Sequence, residues 1–268
     1  MTNKIQEKLK EIYESYLTDD SQHPGLLGGK LGQAMFVHHY SQFFQDNAVV
    51  EELEKILIQS LESMNEHSSL RYGDGLAGIG WVLSYLQQEG VIEDGLEEVF
   101  EPIDEALKNN LKHFAEPNNF DFLHGLIGIG MYFLQREDHE AIAYIIDELE
   151  RAVVHDENGY KWISTVLNKD QITKREVYNI SMAHGSSAFI SFFCKSIEKN
   201  GPYKTKAIPL LKNAVSYILS CKLKNANSIF PGYVEIDPKL NDSSGSRLSW
   251  CYGDMGISLA LWQAGETL

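Results

Sequence analysis

The sequence predicts an all-α fold of paired helices, and the first reason is an internal repeat. Five short glycine blocks recur along the 268 residues: Gly29-Lys-Leu-Gly32, Gly75-Leu-Ala-Gly78, Gly125-Leu-Ile-Gly128, His184-Gly185-Ser-Ser-Ala188 and Gly253-Asp-Met-Gly256. The spacing between successive first glycines grows from 46 residues (29 to 75) to 68 residues (185 to 253). Periods in this range indicate supersecondary units arranged around a common core.

The second reason is the apolar pattern between and after the blocks. Segments that follow a block, such as Leu31–Phe44 and Ile79–Leu86, are apolar nearly all round and predict inner helices buried on every side. Segments between the blocks carry one apolar stripe and predict outer helices half in water. These are Ile5–Tyr16, Val49–Leu61, Leu96–Leu111, Glu140–Val154 and Ala207–Leu223. Ten helices in outer and inner pairs result.

The two longest interruptions, Glu157–Ile180 and Asn225–Ser249, show no helical period and predict loops with room for short strands. Both lead directly into a glycine block, so we expect them over the rim where inner helices begin. Because no shift in composition marks a linker, residues 1–268 are expected to form a single domain.

Composition and charge exclude several classes of partner. The chain is 43% hydrophobic and carries a net charge of −15, and its basic clusters are short. A nucleic acid or an anionic membrane surface would require a basic stripe, so neither is expected. No apolar run reaches the roughly 18 residues of a spanning helix, and the polar N-terminus lacks a signal-peptide core. Three cysteines and no close pair indicate free thiols, so the sequence predicts a cytoplasmic protein.

Polar residues beside the glycines are the candidates for chemistry, because the end of a buried helix is a costly place for them. Five qualify: Asp121, His124, His184, Arg247 and Cys251. His124, His184 and Tyr252 each immediately precede a glycine, so all three are expected at equivalent positions of one rim. Inner-helix N-termini would converge there and favour negative charge. The alternatives are a hydrogen-bonded core imidazole for each histidine and a small buried hydrophobe for Cys251.

These segments together resemble the lanthionine synthetase C-like family of cyclases, which close thioether rings in ribosomal peptides, and their standalone relatives. The resemblance extends over essentially the whole chain and is most specific in Asn179-Ile-Ser-Met-Ala-His-Gly185 and Arg247-Leu-Ser-Trp-Cys-Tyr-Gly253. It implies an α/α toroid, with an inner ring of helices led by glycine motifs inside an outer ring and a zinc site at one rim. It also implies a role in lantibiotic biosynthesis.

The resemblance carries roles to five residues of this sequence. Cys251 matches the first zinc-ligand cysteine of the family, and His184 and Tyr252 match its candidate acid and base residues. Asp121 matches its carboxylate, and Arg247 its active-site arginine. Zinc would lower the pKa of a thiol, whose thiolate adds to dehydroalanine or dehydrobutyrine. A cation would then stabilise the negative charge of the resulting enolate, and a proton donor would protonate it.

The sequence departs from the family pattern after the fifth block. Family members continue with two further blocks, and the first of these begins with a Cys-His pair that supplies the other two zinc ligands. We therefore expect an incomplete ring that lacks its last two hairpins, and a zinc site with two of three ligands missing. Such a chain would bind zinc weakly and would be inactive as a cyclase. A smaller departure is Ala188, where a family glycine would stand.

Three functions stay open at this point. The first is thioether formation on a dehydrated precursor peptide, with a dehydratase as a conceivable partner. The second is a non-catalytic module that holds a peptide or a small thiol such as glutathione. The third is an α/α-barrel glycosidase that uses Asp74, Asp121 and Asp254, which would need two carboxyl groups about 5 to 9 Å apart. That third function leaves the Trp-Cys-Tyr-Gly and Ala-His-Gly segments without a role.

Overall fold

A computed structural model of the chain describes residues 2–19, 21, 23–46, 48–63, 68–92, 95–116, 118–167, 172–224, 227–240 and 245–268. The chain divides into two compact units, residues 1–106 and residues 107–268. The boundary lies inside one helix, and the single-domain organisation of residues 1–268 stays a prediction. None of the helices in the described residues combines the length and the hydrophobicity that a membrane span requires.

The first unit is built from helices. They are α1 (Thr2–Leu17), α2 (Lys30–Phe44), α3 (Ala48–Glu62), α4 (Leu76–Gln88) and the start of α5 (Glu97–Ala115). Helix α2 packs against α1, α3 and α4. Its Tyr40 ring stacks on Tyr13 of α1 at 4.6 Å between ring centroids. On α4, Ile79, Val82 and Leu83 are fully buried, so this helix has the inner position that its apolar pattern predicts.

The second unit continues the alternation of inner and outer helices. Its helices are α6 (Leu126–Arg136), α7 (His139–Arg151), α8 (Ser186–Glu198), α9 (Lys204–Ser220) and α10 (Asp254–Thr267). Helix α8, in which ten of 13 residues are buried, packs against the inner helices α6 and α10 and the outer helix α9. The outer helix α7 buries one stripe, and its N-cap is Asp138, whose side chain accepts a hydrogen bond from the Ala141 amide.

Short strands occupy the two interruptions of the helical pattern. They are β1 (Val154–Asp156), β2 (Gly159–Lys161), β3 (Ile163–Leu167), β4 (Lys174–Asn179) and β5 (Tyr233–Glu235). Strands β1 and β2 form a hairpin, and the other three form an antiparallel sheet in the order β3-β4-β5. Because β4 ends at Asn179, the sheet leads directly into the fourth glycine block.

The glycine blocks share one local geometry. Gly29, Gly75, Gly125, Gly185 and Gly253 are the N-caps of α2, α4, α6, α8 and α10. A Cβ atom at any of them would lie closer than 3.0 Å to the carbonyl oxygen six residues earlier, for example that of Asn179 at Gly185. The preceding loop therefore folds back over the first turn of each inner helix, at an approach that only a missing side chain permits.

The prediction of a mostly helical fold is confirmed, since helices cover more than half of the chain. The ten helices of the described residues correspond one for one to the ten segments that the sequence pattern selects.

The N-cap glycine of α10 and a second glycine inside that helix test the close approach by the same chemical change. Gly253→Ala would place a methyl group against the Arg247 carbonyl, and we expect a loss of about 1–3 kcal/mol in the free energy of unfolding. Gly265 has open space around its Cβ position, so Gly265→Ala is expected to gain up to ~1 kcal/mol from helix propensity. Urea unfolding measures both, and equal effects of the two substitutions would contradict the loop geometry.

Candidate active site

The second unit brings three rings together at the start of its inner helices. His124, His184 and Tyr252 each precede the N-cap glycine of α6, α8 or α10. The His184 ring lies between the other two, with centroids 6.3 Å from His124 and 5.1 Å from Tyr252. The shared loop geometry therefore places equivalent positions of three repeats side by side, as their place in the blocks predicts.

Asp121 orients the central histidine. Its Oδ2 atom lies 2.5 Å from Nδ1 of His184, and both side chains are about four-fifths buried, with 20% and 23% exposed. Its Oδ1 atom accepts hydrogen bonds of 2.8 Å from the backbone amides of Leu123 and His124. A carboxylate can only accept, so Nδ1 of His184 carries the proton in this pair. The neutral ring then keeps its lone pair on Nε2, the atom that can take up another proton.

Asp121 and His184 line a cleft of about 700 Å³. It is lined by Asp121, His184 and Tyr252, by the segment Asn118–Phe120, by residues 164–167 of β3 and by Tyr233 of β5. A volume of this order accommodates a short peptide segment or a small ligand. His184 is thus part of the wall of a cavity and differs from a histidine enclosed in the core.

Burial strengthens the hold of Tyr252 on its phenolic proton. Desolvation raises the pKa of its phenol above the ordinary value, and the nearby charge of Asp121 acts in the same direction. The hydroxyl therefore keeps its proton at neutral pH. Tyr252 can donate a hydrogen bond inside the cleft, where negative charge would be stabilised by it.

Arg247 and Cys251 lie outside the cleft that His184 lines. Both are exposed, and neither is among the residues that line the cleft. The Arg247 carbonyl accepts hydrogen bonds from the amides of Ser249 and Asp254, which fixes the loop before α10. Their roles as active-site arginine and zinc ligand stay predictions.

The described residues do not fit a zinc centre. Among them, no group of three or more His, Cys, Asp or Glu side chains is placed to hold a metal ion. Cys251 is exposed, and the side chains of Asp121 and His184 are joined to each other by a hydrogen bond. A catalytic zinc usually has three protein ligands and an open position.

Two of the carboxylates that a glycosidase would use, Asp254 and Asp74, hold loops in place. Asp254 accepts hydrogen bonds from the amides of Ile229 and Phe230 at 2.8 and 2.9 Å, which attaches the loop before β5 to the start of α10. In the first unit, Asp74 accepts a hydrogen bond of 3.2 Å from the Ser69 hydroxyl. These contacts give both residues structural roles in the loops that precede inner helices.

The sequence placed both interruptions over this rim, but it did not identify the residues with which the sheet lines the cleft. Residues 164–167 of β3 and Tyr233 of β5 come from the two interruptions, where no repeat assigns equivalent positions. The signal that was available is the length of the interruptions just before glycine blocks, since long loops in compact folds are commonly functional.

Comparison with known proteins gives a family match and a similar fold. A family model described as lanthionine synthetase C-like protein matches residues 20–268. No curated protein matches significantly. Among solved structures, nisin cyclase aligns with a TM-score of 0.74 at 16% sequence identity, covering 98% of this chain and 71% of the nisin cyclase chain. At this identity the likeness shows a shared fold.

The pairing of Asp121 with His184 predicts the tautomer of the histidine. We expect the neutral His184 ring to favour the tautomer with its proton on Nδ1 in the wild type and to lose that preference in Asp121→Asn, since a hydrogen bond to a charged group is worth about 1.5–3 kcal/mol. Nitrogen-15 spectra of labelled histidines measure the tautomer. His139, whose Nδ1 lies 3.1 Å from the Tyr203 hydroxyl, is the internal reference and should not change. An unchanged His184 tautomer in the variant would contradict the pairing.

Proposed function

The chain belongs to the lanthionine synthetase C-like family, and from this premise we propose that its cleft binds a dehydrated peptide and adds a cysteine thiol to dehydroalanine or dehydrobutyrine. The observation that carries the proposal is the hydrogen bond between Asp121 and His184 in the wall of the cleft. An oriented imidazole beside a cavity can both take and return a proton.

The addition needs one proton to leave sulfur and one to reach carbon. Nε2 of His184 would take the thiol proton, and Asp121 would stabilise the imidazolium through Nδ1. The sulfur then bonds to the β-carbon of the dehydro residue, and the electron pair of the C=C bond moves toward the carbonyl as an enolate. His184 returns the proton to the α-carbon, which leaves a thioether and the starting state of the enzyme.

Tyr252 would act on the enolate. Its protonated hydroxyl lies in the same wall as His184, at 5.1 Å between ring centroids, and can donate a hydrogen bond to the developing negative oxygen. The resemblance assigns Arg247 a similar part as a cation. Because the Arg247 side chain is exposed outside the lining, that part would require the loop before α10 to move.

Zinc is not used in these steps because the described residues do not fit it. When bound, zinc would supply a thiolate at neutral pH, and Cys251 is the ligand that the resemblance assigns to it. The weak zinc binding expected from the sequence stays a prediction. The lack of cyclase activity expected for the chain as given is the opposite of the present proposal, and the wild-type rate of thiol consumption decides between the two.

A second candidate is a binding module without catalysis. The exposure of Arg247 and Cys251, two of the residues that the resemblance places in the chemistry, favours it. Such a module would hold the peptide, or a small thiol, in the same cleft. Cytoplasmic location and a dehydratase partner are further parts of the proposal that follow from the family.

The rate of thiol consumption separates the two candidates. With a synthetic peptide that contains one dehydroalanine and one cysteine, His184→Ala should lower the rate of loss of free thiol by about 100-fold, because it removes the proton carrier. Alkylation and mass spectrometry measure the remaining thiol at neutral pH. His155→Ala is the matched control, since His155 is an exposed residue of the β1–β2 hairpin and should leave the rate unchanged.

Fluorescence anisotropy with the same peptide, labelled, measures binding separately. Retained binding with the lost rate supports catalysis by His184. A wild-type rate no faster than that of the peptide alone, together with tight binding, would contradict catalysis and leave the binding module.

A further inference from the structure

The cleft contains the open edge of a β-sheet. Strand β3 (Ile163–Leu167) is an outer strand, joined on one side to β4 through five residue pairs. Within the described residues, no strand pairs with its other side. Such an edge presents the amide and carbonyl groups of alternate residues and is a template for another extended chain.

This edge faces the cleft. Four consecutive residues of β3, from Ser164 to Leu167, line the cavity together with His184 and Tyr252. Consecutive side chains of a strand point to opposite faces, so one face of β3 would contribute only alternate residues, and four in a row indicate that the lining includes the open edge. A strand of five residues is roughly 17 Å long, enough to pair with four or five residues of a bound peptide.

We propose that the peptide binds in this cleft as an added strand on the open edge of β3. The inference rests on the proposed function, which supplies the peptide, and adds the way in which it is held. Backbone hydrogen bonds are common to all sequences, so this mode holds an extended segment largely independently of its side chains. Alternate side chains of the bound segment would point toward His184, and the residues between them would point away.

The two walls of the cleft suit this arrangement. The edge of β3 offers backbone groups, and of its two polar residues Ser164 is half-buried and Thr165 is exposed. The wall with Asp121 and His184 offers the proton carrier. A reactive residue held in an extended segment on β3 would therefore lie next to the groups that the chemistry needs, whatever its neighbours in the peptide.

An N-methyl scan of the peptide tests strand addition. The probe is a fluorescein-labelled synthetic peptide of ten residues that contains dehydroalanine and has serine in place of cysteine, so that it cannot react. Each backbone nitrogen is methylated in turn, and binding is measured by fluorescence anisotropy. Because only alternate amides of an added strand bond to the edge, methylation should lower affinity at least tenfold at alternate positions over four or five residues and little at those between.

Two proline variants test the same edge from the protein side. Thr165→Pro and Val166→Pro are neighbours, so one removes an amide that bonds to β4 and the other removes an amide of the open edge. We expect one variant to lower the melting temperature, and the other to keep it and lose at least tenfold in affinity for the unmodified probe.

The outcomes separate this inference from the function on which it rests. Absence of any binding by the unmodified probe would overturn the proposed function and this inference together. Binding with equal effects of methylation at neighbouring positions would overturn strand addition alone. A dimer of the chain that the probe does not dissociate, and that Thr165→Pro or Val166→Pro abolishes, would assign the edge to a second copy and also overturn the inference.

Discussion

The close approach of a loop carbonyl to the N-cap glycine of each inner helix is the constraint on which the rest of the structure depends. A Cβ atom at these glycines would lie within 3.0 Å of the carbonyl oxygen six residues earlier. The loop therefore approaches the first turn of each inner helix in the same way. As a result, the residue just before each N-cap glycine occupies an equivalent position in every repeat. In the second unit this repetition sets His124, His184 and Tyr252 side by side, so a packing requirement of the backbone creates the site.

A hydrogen bond between distant parts of the chain orients one of these rings, that of His184, for proton transfer. Asp121 and His184 are 63 residues apart in sequence, and each lies in the loop before a different inner helix. The loop of Asp121 is itself held by two amides that donate to the carboxylate, so the position of the charge is set before the histidine is oriented. Preorganised pairs of this kind need little free energy for reorganisation when a substrate binds, because their groups are already positioned by folding.

The helices and the rim residues could be predicted from the sequence because both follow from local patterns. Apolar periodicity separates inner from outer helices, and position relative to a glycine selects His184 and Tyr252. The partner of Nδ1 could not be derived, since nothing local tells whether Asp121 faces His184 or solvent. The β3 wall of the cleft was also out of reach, because strands of three to six residues inside a helical repeat have no periodic signal and depend on pairing between β3, β4 and β5. The role that the resemblance assigns to Arg247 stays a prediction: its backbone carbonyl accepts the hydrogen bonds that fix the loop before α10, and its side chain is exposed outside the lining of the cleft.

The most direct test of the central claim, that the repeat places a peptide beside His184, is a titration of histidine-labelled protein with the dehydroalanine peptide that lacks cysteine. Nitrogen-15 spectra would follow all the histidines in one experiment. The account predicts that the resonances of His184, the histidine in the lining of the cleft, shift with increasing peptide, while those of His139 and His155, which lie outside that lining, stay in place. Saturable binding without any change at His184 would contradict it.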